Sequence, residues 1–116
     1  MAIACHKLVF FAVKPHINRD KMKKVTVRAG QHVKLDVDVK GEPPPTYRWT
    51  FQGTPVQGLG AKIENEDYNT KMTLSDTTRK NTGTYVLRAE NVNGSDEAEV
   101  EIEILGMLIL FLTDSQ

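Results

Sequence analysis

From Val25 to Ile104 the chain alternates apolar and polar residues with a period of two, and no stretch sustains a 3.6-residue repeat. Val25 and Val27 alternate with Lys24, Thr26 and Arg28. After the turn residues Ala29-Gly30-Gln31, Val33, Leu35, Val37 and Val39 alternate with Lys34, Asp36, Asp38 and Lys40, which gives each strand one buried face. Gly41-Glu42-Pro43-Pro44-Pro45 is expected to be a loop, because three prolines remove three ladder donors and fix φ. Tyr47, Trp49 and Phe51 mark the next strand, and Gly53, Pro55, Gly58 and Gly60 punctuate an irregular crossing. Ile63, then Met72 and Leu74, supply two more inward pieces around the polar tract Glu64-Asn65-Glu66-Asp67, which suits a turn or an edge. Tyr85, Leu87 and Ala89 share a face. Asn93-Gly94 predicts a type I′ hairpin turn into the last strand, where Ala98, Val100, Ile102 and Ile104 alternate with Glu97, Glu99, Glu101 and Glu103. The pattern predicts an all-β sandwich of two antiparallel sheets with seven or eight short strands.

A framework stands out within this pattern. Trp49 follows Val37 by 12 residues, and Tyr85, in the run Asn81-Thr82-Gly83-Thr84-Tyr85, precedes Leu87 by two. With Gly83-Thr84-Tyr85-Val86-Leu87-Arg88-Ala89-Glu90-Asn91 as its most specific part, the chain resembles an intermediate-set immunoglobulin domain of the giant muscle proteins, of the twitchin, titin and projectin type. The resemblance covers roughly Lys14 to Leu105. It implies a structural core of Val37, Trp49, Leu74, Tyr85 and Leu87, and a corner in which the Tyr85 hydroxyl bonds the backbone a few residues upstream. Val37 and Leu87 occupy the two positions that carry cysteine in most immunoglobulin domains. Two further positions depart from the family: Asn81 stands where Asp is usual, which removes any salt bridge to a residue such as Arg79, and Thr77 stands where an apolar residue is preferred. A slightly weakened core is expected at that end.

Composition narrows the function. The 116 residues suffice for one domain of ordinary size, and fifteen basic and fifteen acidic residues cancel, which argues against nucleic acid or an acidic membrane surface as partner. The single cysteine, Cys5, lies outside the framework, so the domain closes no internal disulfide. A bridge between positions 37 and 87, closing a loop of about 50 residues, would stabilise by roughly 4 kcal/mol. Burying Val37 and Leu87 recovers about 1.5 to 3 kcal/mol each, so the sandwich is expected to hold in a reducing, cytoplasmic setting such as the sarcomere or cytoskeleton. The alternative is an extracellular setting.

Both ends are apolar. Residues 1–13 are expected to be an N-terminal extension, a linker or the remnant of a neighbour; 14–105 the immunoglobulin-like domain; and 106–116 an apolar tail. Leu8 to Val13 and Met107 to Leu112 are too short to span a bilayer, and no cleavage pattern of a secretory signal follows the first. Lys7-Leu8-Val9-Phe10-Phe11-Ala12 matches the central apolar segment of the amyloid-β peptide, a β-prone window and an edge-pairing hazard where exposed, but six residues do not establish kinship.

Candidate chemistry is thin. Cys5 and His6 are adjacent and point to opposite sides of an extended chain, so they form no nucleophile and base pair. His6, His16 and His32 lack metal-ligand spacing, and the Glu64 to Asp67 tract lacks the glycine-pivoted loop of a calcium site. Asn93-Gly94-Ser95 has the letters of a glycosylation sequon, which the hairpin explains without a sugar. No catalytic residue, cofactor site or metal site is expected.

One pattern carries a functional expectation. Lys21, Lys23, Lys24 and Arg28 flank the early strand, while Glu97, Glu99, Glu101 and Glu103 face outward on the last. In the resembled family these strands pair in parallel, and opposite charges across neighbours contribute roughly 0.2 to 1 kcal/mol per pair. Val25 to Arg28 against Glu99 to Ile104 is therefore expected to be a mechanical clamp, with Val25, Val27, Val100 and Ile102 at its centre. Two function classes remain open. One is an intracellular structural module, a spacer, spring or docking surface among neighbouring immunoglobulin or fibronectin-type domains, monomeric when isolated. The other is an extracellular adhesion or receptor domain binding a protein ligand.

Overall fold

The computed structural model describes residues 13–106; Cys5, His6, the Lys7 to Ala12 window and the tail from Met107 lie outside the described residues. Among the described residues nine strands run in chain order: β1 Val13–Ile17, β2 Val25–Arg28, β3 Val33–Glu42, β4 Thr46–Phe51, β5 Thr54–Pro55, β6 Lys62–Glu66, β7 Asn69–Leu74, β8 Gly83–Asn91 and β9 Gly94–Leu105. They form a four-stranded sheet, β1-β3-β7-β6, packed on a five-stranded sheet, β2-β9-β8-β4-β5. The alternation undercounts them for two reasons. A one-turn 3-10 helix, Arg19–Lys21, splits the first strand so that β1 and β2 belong to different sheets, and β5, with two residues, is too short to show a period.

Period two decides what is buried. In β3, Val33, Leu35, Val37 and Val39 turn inward and the charges between them outward, and in β9 Ala98, Val100, Ile102 and Ile104 do the same. Val37, Trp49, Tyr85 and Leu87 are buried where the two sheets face each other, with Leu74 beside them. The Tyr85 ring stacks on Phe51 with centroids 4.4 Å apart and planes 19° from parallel, an arrangement that adds to the burial term.

Two local expectations are corrected. The strand β3 runs on through Gly41 and Glu42, and Glu42 pairs with Val13, so the loop is confined to the prolines. Gly41 makes this possible: at φ 153°, a side chain there would begin 3.2 Å from the Pro15 backbone and 3.3 Å from the Pro45 ring. The hairpin into β9 closes one residue earlier than expected, with Asn91 paired to Gly94 and Val92 and Asn93 at the tip. Neither tip residue has positive φ, so the turn is not type I′. Tertiary bonds override the local preference: the Asn91 amide donates to the carbonyls of Val13 and Pro43, both at 2.9 Å, and the Asn93 amide donates to that of Glu42 at 2.6 Å.

Candidate functional site

The strand pair singled out by charge is a parallel one. In β2 and β9, Val25 lies opposite Ile102, Thr26 opposite Glu103, Val27 opposite Ile104 and Arg28 opposite Leu105. The pairing therefore starts later on β9 than expected, and Val100 lies outside it, opposite Tyr85 on β8. Val25 and Val27 are half-buried against the core. The alternation leaves their exact depth open because β2 is an edge strand, covered on one side only.

The expected charge ladder is sparse. Lys24 Nζ lies 3.8 Å from Glu101 and 3.4 Å from Glu103, with all three side chains well exposed, so each contact is worth little. Glu97 is answered from the other side, by Arg88 of β8 at 3.2 Å. Among the described residues Lys21, Lys23 and Arg28 form no ion pair.

What braces the end of β2 and β9 is backbone and hydroxyl bonding. Ala29 N–H donates to Leu105 O at 2.8 Å, Ile104 N–H donates to the Thr82 hydroxyl oxygen at 2.9 Å, and Gly30 N–H donates to Thr77 O at 2.7 Å. Thr77, expected to weaken this end, is buried and its hydroxyl donates to Gln31 O at 2.7 Å, so no polar group is left without a partner there. Thr78 caps the one-turn helix Arg79–Asn81, and the Asn81 side-chain oxygen completes the capping box by accepting from Thr78 N–H at 2.7 Å, while the Asn81 carbonyl accepts the Tyr85 hydroxyl at 2.6 Å. The corner thus forms with Asn in place of Asp.

Two polar arrangements escaped the alternation. The buried Trp49 indole on β4 donates to the Thr70 hydroxyl on β7 at 2.9 Å, and Thr70 donates to the Asn65 side-chain oxygen at 2.7 Å. This chain of bonds crosses between the sheets, Thr70 lying opposite Val37 in register. The second joins Arg19 to Asp96: the guanidinium binds both carboxylate oxygens, at 3.0 and 2.8 Å, and Ile17 N–H adds a third bond at 2.9 Å. The Arg19 hydrogen bonds, chiefly, hold the Asp96 carboxyl down at about 2 although partial burial opposes them. Both were signalled by one feature: Thr70 and Asp96 are polar residues in the inward phase of their strands, and such a residue requires a partner.

Among the described residues the catalytic and metal candidates do not assemble. His16 and His32 are exposed, and the described residues hold no group of three or more His, Cys, Asp or Glu arranged for a metal ion. Glu64 and Glu66 lie on the edge strand β6, and Asn65 is engaged by Thr70. An open depression of about 520 Å³ borders β1, lined by His16, Asn18, Arg19, Asp38 and Lys40; its guanidinium is already committed to Asp96. No described helix is long and apolar enough to cross a membrane.

A family model for the immunoglobulin I-set domain matches residues 15–104. The chain belongs to that family. Over 80 residues it is 36% identical to smooth-muscle myosin light chain kinase of Gallus gallus, covering 68% of this chain and 4% of the kinase. It is 29% identical to peroxidasin of Drosophila melanogaster over 79 residues, 68% of this chain and 5% of that protein, and 28% identical to neural cell adhesion molecule 1 of Rattus norvegicus over 89 residues, 74% and 10%. This I-set domain therefore spans a small fraction of the curated relatives it matches. Among solved structures, a chimeric titin Z1Z2 superposes with a TM-score of 0.75 at 25% identity, covering 80% of this chain and 95% of that one. In this member the usual cysteine positions are Val37 and Leu87, both without measurable exposure.

Proposed function

We propose that this I-set domain is a non-enzymatic module of an intracellular muscle-filament or cytoskeletal protein, acting as a mechanical spacer and as a docking surface for neighbouring domains. The carrying observation is the parallel register of β2 on β9. The chain approaches at Val13, beside the tip of the β8–β9 hairpin, and the described part ends at Gly106, beyond Leu105 and beside Arg79 at the opposite end of the sandwich. Tension between these ends draws β2 and β9 in opposite directions along their length, so their hydrogen bonds resist together in shear. Val25, Val27, Ile102 and Ile104 form this clamp in our reading, and the disulfide-free core suits a reducing compartment.

Single-molecule pulling of a polyprotein tests it. The domain is expected to give a distinct unfolding peak that Val27→Pro lowers, since proline removes a ladder donor. A peak of unchanged height in that variant overturns the clamp.

The likeness to a neural cell adhesion molecule supports a second reading, an extracellular domain that binds a protein ligand. A secretory signal and a glycan on Asn93 in the native protein would favour it, whereas tandem immunoglobulin domains flanking this one in a protein retained in the cell favour the first.

A further inference from the structure

Asn93 and Gly94, at the tip of the β8–β9 hairpin, each answer a demand of the fold. Gly94 opens β9 at φ 149°, and a side chain there would begin 2.8 Å from the Lys14 side chain; this backbone shape favours glycine. Asn93 is half-buried, and its side-chain amide donates to Glu42 O at 2.6 Å while its backbone N–H donates to the Asn91 side-chain oxygen at 2.8 Å. Asn91 in turn donates to Val13 O and Pro43 O and pairs with Gly94 across the hairpin. The two asparagines thus staple the tip to the start of β1 and the end of β3. The fold has thereby placed together a dipeptide prone to spontaneous deamidation. Glycine has no Cβ to shield its amide nitrogen, so that nitrogen can close on the Cγ of the asparagine before it.

We infer that Asn93 is a latent deamidation site, closed in the folded domain and opened when the hairpin tip leaves Glu42. In the reaction the Gly94 amide gives its proton to hydroxide, its nitrogen attacks Asn93 Cγ, and the C–N bond to the side-chain amide breaks. The leaving nitrogen takes a proton from water and departs as ammonia. Water then opens the resulting cyclic imide at either carbonyl, leaving Asp or isoaspartate; water is consumed, ammonia is released and no electrons are exchanged. The folded tip withholds both reactants. Attack needs the nitrogen aimed at Cγ at near-contact distance, whereas the Asn93 amide is held on Glu42 and Gly94 is held in register with Asn91. The rate therefore follows the population of the opened tip. The product does not fit the closed tip: Asp brings no side-chain N–H to the Glu42 carbonyl and sets a charge against it, and isoaspartate lengthens the backbone of the loop. Each opening thus risks a change that the refolded domain keeps. Where tension opens the sandwich, which rests on the mechanical reading above, Asn93 would record the time the chain has spent unfolded; the gating itself does not depend on that reading.

Peptide mapping of the 116-residue chain, without force, is the test. The chain is kept at mildly alkaline pH, either folded in buffer or unfolded in guanidinium, and Asp and isoaspartate at position 93 are measured over time. Deamidation should be about tenfold slower or more in the folded arm, the scale of a tip held by a few hydrogen bonds. Equal rates in the two arms, or no reaction in the unfolded one, overturns the site. Asn91→Ala, which removes the bonds to Val13 and Pro43, should accelerate the folded arm and leave the unfolded arm unchanged. An unaltered folded rate in that variant would show that the staple does not gate the reaction. Should it fail to fold, the comparison on the unaltered chain still decides. Asn93→Asp, the product made directly, should lower the urea midpoint at neutral pH, and an unchanged midpoint overturns the misfit of the product. Because the clamp is read by Val27→Pro under force and the site by chemistry at rest, either can fail alone.

Discussion

The indole N–H of Trp49 and the hydroxyl of Thr70 meet at 2.9 Å inside the sandwich, one from each sheet, and Asn65 accepts the Thr70 proton at 2.7 Å. Next to Val37, one of the two positions that carry cysteine in most immunoglobulin domains, this domain therefore has a directional, non-covalent tie. Thr70→Val should leave the indole proton buried and unanswered at a cost of about 1 to 3 kcal/mol. Urea unfolding followed by Trp49 fluorescence measures it, and Thr70→Ser, which keeps the hydroxyl, should lose clearly less.

The apolar pair at the former cysteine positions makes a second, independent contribution. Leu87→Ala is expected to destabilise by about 2 to 5 kcal/mol, because Leu87 is fully buried and its neighbours are fixed strands that cannot close the cavity. Urea curves of the unaltered monomer with and without reductant should coincide; a midpoint that moves with reductant would contradict a fold held together without sulfur.

Gly83 opens β8 at φ 152°, and a Cβ there would lie 2.5 Å from Phe51 Cε1. Gly83→Ala must therefore push the Phe51 ring off its stack on Tyr85. A loss of more than about 1 kcal/mol is expected, seen as a fall in Tm of roughly 4–8 °C or more. An unchanged Tm would mean that the ring moves aside freely.

Asp96 gives the domain an acid-sensitive limb. Its folded carboxyl is held down to about 2 from an ordinary 3.8, so its pairing with Arg19 contributes fully above about pH 4 and loses its contribution as pH falls towards 2. Asp36, lowered in the same direction by its bond from Asn69, adds to that slope. Asp96→Asn should be less stable at neutral pH and show a shallower decline below pH 4, measured as the urea midpoint across that range.

How much of this was legible in the chain depends on whether the information was periodic. β3 and β9 are long, one-faced strands, and their alternation gave the buried set correctly, since a shift of one residue would expose every apolar side chain. Thr54–Pro55 could not be seen, because two residues have no period. The Asn93-Gly94 pair misled, because local φ preference was set against three side-chain bonds to residues some fifty or more positions away, and the distant bonds prevailed. The register of β2 on β9 was placed too early for a related reason: a sequence shows which face is apolar, but the sliding of one strand along another is settled by what braces the ends, here Ala29 on Leu105 and Thr82 on Ile104. Thr70 and Asp96 were readable as polar residues in an apolar phase, although their partners, Trp49 and Arg19, were not.

Residues 13–106 contain no cysteine, and their two methionines, Met22 and Met72, are both buried. An oxidant burst therefore finds little to attack in the folded sandwich: there is no thiolate to become a sulfenic acid or to take up glutathione, and the thioethers are shielded from conversion to sulfoxide. The described sandwich keeps its fold with no sulfur that a soluble oxidant can reach.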